Sequence, residues 1–415
     1  MHLALHPVPA SSDGHAHQAP APDPFDPIAA AHDLAARLAA GAVERDRRDG
    51  QVSGHAARER EWIRASGLLA LSVPPEFGGP GASWKTIADV VRIVARADGA
   101  LAHLLAFHHL QIAGIRLAGN ARQQRRLLFE TIEHDVFWGD ALNPLDKRLV
   151  ARPTAGGYVL DGVKGFAAGA VGSDWLTVCA RDPLAHGSLV AVLPTQRAGV
   201  AVHADWDAFG LRQADSGTVS FTNVQLTEDD VLQPAVRAAT PQATLRAQVA
   251  QLMLTNVYVG MAEGALEATR GYLRGEAQPW FASSLDVASA TDDPYVQHRF
   301  GQFRVLVRPA QVLADAAASE LDDAFARGPH LTKRERGEVA VAVAEAKVVA
   351  HKAAIEIGSQ LFELTGARSA SARHGFDRYW RNARVHTLHD PVDYKLRDIG
   401  RHALDGTLPE PTAYA

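Results

Sequence analysis

The chain has 415 residues, of which 47% are hydrophobic and 21% are charged, an ordinary balance for a globular protein. Its net charge of -5 argues against nucleic-acid binding, which usually needs a basic excess, and its one cysteine, Cys179, excludes an internal disulfide. The longest apolar runs are far shorter than the roughly 20 residues of a membrane span, and the N-terminus lacks the pattern of a secretory signal. We therefore expect a cytoplasmic protein with no nucleic-acid or membrane partner.

The first third of the chain separates into a polar tail and a helical region. Residues 1–24 are rich in Ala, Pro, His and Ser, a composition that is typical of disorder. From residue 25 to 138, apolar residues such as Ile28, Leu34 and Leu38 recur at helical spacing. The Gly- and Pro-rich run 74–81 interrupts them. The sequence predicts a disordered tail over 1–24 and an N-terminal helical domain over 25–138.

The pattern changes between residues 139 and 235, where short β-branched and apolar runs alternate with Gly, Asp and Pro. Examples are residues 158–162, 175–180 and 189–194. Such runs indicate strands, and their short connections favour an antiparallel barrel or sandwich over parallel strands linked by helices. We predict a middle β domain over 139–235.

Long helices return after residue 236. Segments 251–274, 296–326 and 333–364 carry apolar residues three and four positions apart, and a last helix is expected to begin near Asp390. Helices of this kind bury their apolar stripes against one another in a bundle. The predicted fold class is therefore α+β and mostly α, with a C-terminal four-helix bundle over 236–415 after the helical and β domains.

Four segments resemble a known family. Val73–Gly81 is similar to its turn between early helices, and Tyr158–Phe166 to a strand pair of its β domain. Trp206–Gly217 and Phe376–Val392 match more narrowly. By these motifs the chain, from about residue 27 onward, resembles the acyl-CoA dehydrogenase family and, within it, the dibenzothiophene monooxygenase branch. The resemblance implies the acyl-CoA dehydrogenase fold.

The resemblance also implies an activity. Enzymes of this branch receive reduced FMN from a separate flavin reductase, form a C4a-(hydro)peroxyflavin with O2, and insert one oxygen into a small apolar substrate such as an organosulfur compound. It further implies a homotetramer. The alternatives are FAD in place of FMN, an acyl-CoA dehydrogenase or oxidase, and a catalytically weak flavin-binding homologue.

One position bears on the choice between these activities. Acyl-CoA dehydrogenases abstract an α-proton with a carboxylate, and where that Glu is expected this chain has His389. An imidazole can donate a hydrogen bond to a peroxide oxygen or shuttle a proton, which favours oxygenation. The resemblance places His103 at the same flavin, and a buried core histidine is the alternative for it.

Two polar residues flank His389 in the sequence. His386 is expected to take part in catalysis or to orient other groups. Asp390 is expected either to orient a histidine or to cap the last helix, with Pro391 at its first position. These residues and His103 could supply metal ligands, but no HExxH motif or carboxylate cluster accompanies them, and we expect no metal.

The family match assigns residues to the substrate and to the flavin ring. Phe107 and His108 are assigned to substrate binding, with a structural role as the alternative for His108. The main chain of Phe166, Ala167 and Ala168 is expected to run past the flavin ring. Trp206 and Ser216 are expected to close one side of it, with core packing as the alternative for Trp206.

Arg368 and Ser369 are assigned to the far end of the cofactor. Arg368 replaces a Gly-Gly pair that dehydrogenases place near the FAD pyrophosphate. Because a guanidinium suits a terminal phosphate, this exchange favours FMN. A surface arginine without a ligand is the alternative.

Some positions differ from the desulfurising enzymes of the branch. Asp140 stands where they have Asn near flavin and substrate, Ala168 where they have Ser, and Phe107 where they have Tyr. Gln278 stands where they have an Arg that reaches the FMN phosphate of a neighbouring subunit. These changes leave the substrate open, and other sulfur, nitrogen or aromatic compounds are alternatives to a thiophene.

Overall fold

The computed structural model describes residues 25–48, 56–235 and 239–415; the tail predicted over 1–24 lies outside these residues. Helices form the region before the sheet, as the apolar spacing predicts. They are α1 (Pro27–Ala40), α2 (Ala42–Arg48), α3 (Ala57–Ala65), α4 (Trp84–Ala97), α5 (Gly99–Ala118) and α6 (Ala121–Glu133). The run 74–81 separates α3 from α4 and includes a short 3-10 helix, Pro75–Phe77.

Helix α5 is buried along most of its length and carries several of the predicted site residues. It begins after Asp98, whose carboxylate accepts hydrogen bonds from the N–H groups of Ala100 and Leu101, as an N-cap residue does. The same carboxylate pairs with the buried Arg45. This anchoring fixes which face of α5 meets the rest of the protein.

The middle of the chain forms one eight-stranded sheet. Its strands are β1 (Trp138–Ala141), β2 (Val150–Thr154), β3 (Gly157–Lys164), β4 (Trp175–Asp182), β5 (Gly187–Pro194), β6 (Val200–Val202), β7 (Val219–Thr227) and β8 (Val231–Gln233). Their order is β6-β7-β3-β2-β4-β5-β8, with β1 beside β4. Most neighbours are antiparallel, as predicted. The prediction is wrong where β1 and β2 each pair with β4, because both contacts are parallel.

The C-terminal region is helical. Its helices are α7 (Leu245–Gly275), α8 (Pro294–Arg327), α9 (Lys333–Thr365), α10 (Asp377–His386) and α11 (Val392–Asp405). The three long ones pack on one another, and α4 and α5 pack against α7. Their apolar residues join those of α1, α4 and α5 in one core, while the sheet has a core of its own. The predicted fold class is confirmed.

The helices and the sheet meet at α5. One face of α5 contacts β1, another contacts α7, and α10 reaches its N-terminal half. A site formed there can draw side chains from distant parts of the sequence. Among the described residues, no helix has both the length and the apolar character that crossing a bilayer requires.

Candidate active site

His103 and His386 form a buried pair where α5 meets the end of α10. The Nδ1 atom of His103 lies 3.0 Å from Nε2 of His386, and both side chains are buried. Burial, with a smaller effect of the nearby His389, lowers the pKa of His103 to about 3. Burial also lowers the pKa of His386 well below its usual value. Both rings are therefore neutral at physiological pH. A single hydrogen lies between Nδ1 of His103 and Nε2 of His386.

The remaining nitrogens decide which ring donates that hydrogen. The Nδ1 atom of His386 is buried and has no hydrogen-bond partner among the described residues. A buried N–H without a partner costs about 1–3 kcal/mol, so Nδ1 is better left as a lone pair. His386 then donates from Nε2, and His103 carries its own hydrogen on Nε2. The pair thus leaves the Nε2–H of His103 free to donate to a bound molecule.

Asp390 connects the third histidine to a buried lysine. Its Oδ1 lies 2.9 Å from Nδ1 of His389 and 2.5 Å from Nζ of Lys347. Burial alone would raise the pKa of Asp390, but the hydrogen bond from His389 and the charge of Lys347 hold it well below its usual value. Asp390 therefore stays ionised and orients the His389 ring, which keeps its Nε2 for other partners.

The alternative role for Asp390, capping the last helix, is wrong. Helix α11 begins after Pro391 and has no side-chain cap at its N-terminus. The Asp390 carboxylate is engaged instead by His389 and Lys347, and a charged partner in a buried site outweighs an exposed backbone N–H.

Lys347 was not singled out from the sequence. It lies on α9 with only 1% of its side chain exposed, and its Nζ also bonds Gln251 Oε1 on α7 at 2.5 Å. Burial lowers its pKa to about 8, although Asp390 opposes this shift. A signal was present in the sequence, because Lys347 follows Ala340 and Val343 on the buried stripe of an apolar helix.

Phe107 stands between the histidines. Its ring centroid lies 4.1 Å from that of His103 and 6.4 Å from that of His389. His389 is the most open of these side chains, with 31% exposed, and the ring of Tyr414 lies 5.6 Å from it. The segment that carries Tyr414 is fixed through its main chain, since Lys395 binds the carbonyl oxygen of Tyr414 and Arg336 that of Ala415.

The structure thus brings His103, His386, His389, Asp390 and Phe107 together. His108 does not join them, and its contacts favour the structural alternative over substrate binding. Its ring is fully buried on another face of α5, with Nε2 2.8 Å from the carbonyl oxygen of Leu69 and Nδ1 accepting from the N–H of Trp138. Both nitrogens are used by the backbone, so His108 ties α5 to β1.

An aromatic surface follows the C-terminal end of β3. Phe166 has a positive φ of 57°, and 67% of it is exposed. Its ring meets Trp206 edge to face at 5.9 Å, and Trp206 Nε1 donates to the carbonyl oxygen of Leu211 at 2.9 Å. A large ring held in the open on a strained backbone offers its face to a planar ligand. These residues fit a flavin ring.

The loop next to this surface is held by hydrogen bonds within the protein. The N–H of Ala167 donates to the carbonyl oxygen of Gly217 and its side chain is fully buried, so its N–H is already engaged within the protein. The carbonyl oxygen of Ala168 accepts a hydrogen bond from the N–H of Asp140. Ser216 is buried and reaches the carbonyl oxygen of Ala214 at 3.4 Å.

Asp140 lies on β1 and is buried. Burial raises its pKa to about 7, although Arg246 and the N–H groups of Leu142 and Ala168 oppose the shift. The carboxyl is thus about half protonated at neutral pH. Thr177 on β4 is its register partner, so the two side chains share one face of the sheet.

The raised pKa of Asp140 predicts a stability that falls as pH rises. Between an unfolded pKa of about 3.9 and the folded value of about 7, the folded chain holds a proton that the unfolded chain has released. Each pH unit there lowers the free energy of unfolding by up to about 1.4 kcal/mol. Asp140→Asn has no such carboxyl and should not show this loss. From pH 5 to pH 7, its free energy of unfolding should therefore rise by about 2 kcal/mol relative to that of the wild type. Urea unfolding at both values measures it; parallel pH profiles would contradict it.

Residues assigned to the far end of the cofactor lie away from the histidines. Arg368 follows the end of α9 and is exposed. Lys347 marks the site on the same helix, and Thr365 at the helix end is 18 residues further on, about 27 Å at 1.5 Å per residue. Gln278 is exposed between α7 and α8. Ser369 is buried, and its hydroxyl is hydrogen-bonded to Thr365 and to the carbonyl oxygen of Gly366.

Comparison with known proteins agrees with this architecture. The acyl-CoA dehydrogenase N-terminal, middle and C-terminal domain families match residues 29–135, 140–224 and 252–394. The chain belongs to the acyl-CoA dehydrogenase family. This confirms the resemblance predicted from its motifs.

Similar members of the family carry monooxygenase names. A dibenzothiophene monooxygenase of Rhodococcus qingshengii is 43% identical, over 93% of this chain and 95% of its own. The structure of a methanesulfinate monooxygenase from Pseudomonas fluorescens has a TM-score of 0.90 at 43% identity, over 94% and 100% of the two chains. FMN-bound TdsC from Paenibacillus sp. A11-2 has a TM-score of 0.88 at 36% identity, with the same coverage. The predicted flavin-dependent monooxygenase is confirmed.

Proposed function

We propose that this protein is the oxygenase component of a two-component system, which oxidises the sulfur of a small organosulfur compound with O2 and reduced FMN. The observation that carries the proposal is the histidine arrangement: where a dehydrogenase needs a carboxylate base, His389 is held by Asp390 beside Phe107 and His103. The organosulfur substrates in the names of similar proteins support the choice of sulfur.

Each residue of the site has a role in this reaction. Bound reduced FMN would supply two of the four electrons that O2 takes up, and the sulfur of the substrate supplies the other two. His103 donates a hydrogen bond from Nε2, because its low pKa keeps it neutral and His386 fixes its tautomer. His389 can accept or release a proton at Nε2 while Asp390 holds Nδ1. Phe107 contributes an apolar wall, which limits the access of water to the reacting oxygen.

The cofactor site is proposed to need a second copy of the chain. Arg368 lies too far along α9 to reach a flavin that stacks near His389 of its own chain. Exposed apolar side chains, among them Trp280, Phe281 and Val305, offer a surface for association. We propose a homotetramer in which Arg368 and Gln278 approach the FMN phosphate of a neighbour. A diffusible flavin reductase in the cytoplasm would supply the reduced FMN.

This arrangement predicts a defined loss of FMN affinity. Arg368→Ala should weaken FMN binding by about 1.5–3 kcal/mol, the value of a hydrogen bond to a charged group. Arg373→Ala, at an exposed arginine five residues later, is the matched control and should bind as wild type does. Fluorescence titration with FMN measures both, and light scattering reports the oligomer. Equal affinities of wild type and Arg368→Ala would refute the assignment.

Oxygenation itself is tested with a supplied reductase. The protein, FMN, NADH and an FMN reductase are incubated under 18O2 with dibenzothiophene or methanesulfinate. We expect one labelled oxygen in the sulfur product. Release of hydrogen peroxide without any oxygenated sulfur product, for both compounds, would refute the proposal. Reduction of bound flavin by an acyl-CoA would favour the dehydrogenase alternative.

A further inference from the structure

A second polar group lies on the α5 face that carries the site. His103, Phe107 and Gln111 are four residues apart and therefore line one side of the helix. Gln111 is about 6 Å beyond Phe107 at 1.5 Å per residue. Its Oε1 accepts a hydrogen bond of 3.4 Å from Nη2 of Arg246, near the start of α7. The face thus runs from the histidines to a cation.

Arg246 has no strong partner. In the described part of the chain it makes no ion pair, and its bond to Gln111 is long. Protein surrounds it closely enough that burial lowers the pKa of its guanidinium, yet part of the side chain stays accessible. Gly114 makes room for it, because a Cβ there would lie 3.1 Å from Nε of Arg246. A cation in such a place is costly unless an anion joins it.

Two buried polar atoms, one on Gln111 and one on the register partner of Asp140, also lack partners among the described residues. Gln111 is 1% exposed, and its Nε2 makes no hydrogen bond. On the sheet side, the hydroxyl of Thr177, next to Asp140, makes none either. Buried polar groups are almost always satisfied, so these atoms indicate a ligand with several acceptor oxygens.

Asp140 does not fill that role. It interacts with Arg246 only at longer range, and with a pKa of about 7 it carries about half a charge at neutral pH. The group formed by Arg246, Gln111, Thr177 and Asp140 is therefore net positive. It complements a compact anion better than a neutral ring system.

We propose that Arg246 and Gln111 bind the oxyanion of a small alkanesulfinate, so that the substrate of this site is an anionic rather than a neutral organosulfur compound. The inference rests on the proposed function and narrows its substrate class. A guanidinium can donate to both sulfinate oxygens, with the Gln111 amide as a third donor. The sulfur keeps its lone pair for oxygenation, on the side of Phe107 and the histidines.

The reaction balances with the reactants already named. An alkanesulfinate, O2 and reduced FMN give an alkanesulfonate, oxidised FMN and water. One S–O bond forms at the sulfur lone pair and the O–O bond breaks. The sulfur loses two electrons, reduced FMN loses two, and the two hydrogens of reduced FMN leave in the water.

Binding can be measured without turnover. Methanesulfinate is titrated calorimetrically into the full-length protein saturated with oxidised FMN. Arg246→Met should weaken binding about 10- to 100-fold, and Gln111→Leu about 5- to 10-fold. Arg270→Met, an exposed arginine on the same helix, is the control for charge and should leave the affinity unchanged. Arg246→Lys keeps the charge and should bind better than Arg246→Met, which covers the case of a poorly folded Met variant.

Several outcomes would overturn the proposal. One is unchanged methanesulfinate affinity in both Arg246→Met and Gln111→Leu. Another is an affinity for acetate or chloride equal to that for methanesulfinate, which would mark a general anion site. A third is tighter binding of the neutral dibenzothiophene to wild type. Because no oxygen is transferred in this experiment, binding without oxygenation in the separate 18O2 assay would refute the proposed function and leave the anion site standing.

Discussion

Replacing His389 with Ala is expected to lower product formation by about 10²-fold or more, the scale of a lost general acid or base, while FMN binding stays nearly unchanged. His389 is the most open histidine of the site, and Asp390 fixes its Nδ1. Without its Nε2, no group at this position can move a proton at the reacting oxygen. Oxygen should still be consumed, and the missing product should appear as hydrogen peroxide.

The measurement follows oxygen, peroxide and sulfur product in parallel. His103→Ala should behave similarly, and the double variant should be little worse than either single one, because groups that act as a unit are not additive. His298→Ala, at an exposed histidine on α8, is the control. Normal coupling of oxygen to product in both single variants would mean that these histidines are structural.

Lys347→Met is expected to lower the free energy of unfolding by about 3–5 kcal/mol. The change leaves the Asp390 carboxylate buried without its lysine partner, and breaking a buried pair is strongly destabilising. Lys347→Met with Asp390→Asn removes both charges and should regain most of the stability. Activity should stay low in the double variant. The asparagine at position 390 is neutral, so His389 no longer has an ionised carboxylate beside its Nδ1.

The pH dependence of this loss has a definite sign. The pKa of Asp390 is depressed in the folded chain, so its stabilisation is present above the unfolded value of about 3.9 and is lost as pH falls. The difference between wild type and Lys347→Met should therefore be largest near neutral pH and shrink below pH 4. Urea unfolding across this range measures it. A Lys347→Met protein as stable as wild type at pH 7 would contradict the role of the pair.

The sequence predicts the long elements well because each buries a wide apolar stripe. The expected helix over 333–364 is α9, Lys333–Thr365, and the strand over 175–180 lies within β4. Short elements such as α10 and β1 were missed. They have too few residues for periodicity to register, and tertiary contacts decide their conformation.

Faces of a helix are harder to assign than the helix itself. His103 and His108 differ by five residues, about 140° around α5, and only the packing against β1 settles which ring is tied to the backbone. Lys347 was missed for a related reason. A lysine is ordinarily a solvated residue. The position of Lys347 on the buried stripe of α9 does not name its partners, and only the structure shows that Asp390 and Gln251 reach it from other elements.

The segment over His389 offers a route to new substrate ranges by directed evolution. Its two anchors, Lys395 and Arg336, bind the main-chain oxygens of Tyr414 and Ala415, and main-chain atoms are the same in every amino acid. Tyr414 can therefore be randomised while the attachment persists. Its ring borders the most open histidine, so a library at this one position would vary the surroundings of His389 without changing the residues that carry the chemistry.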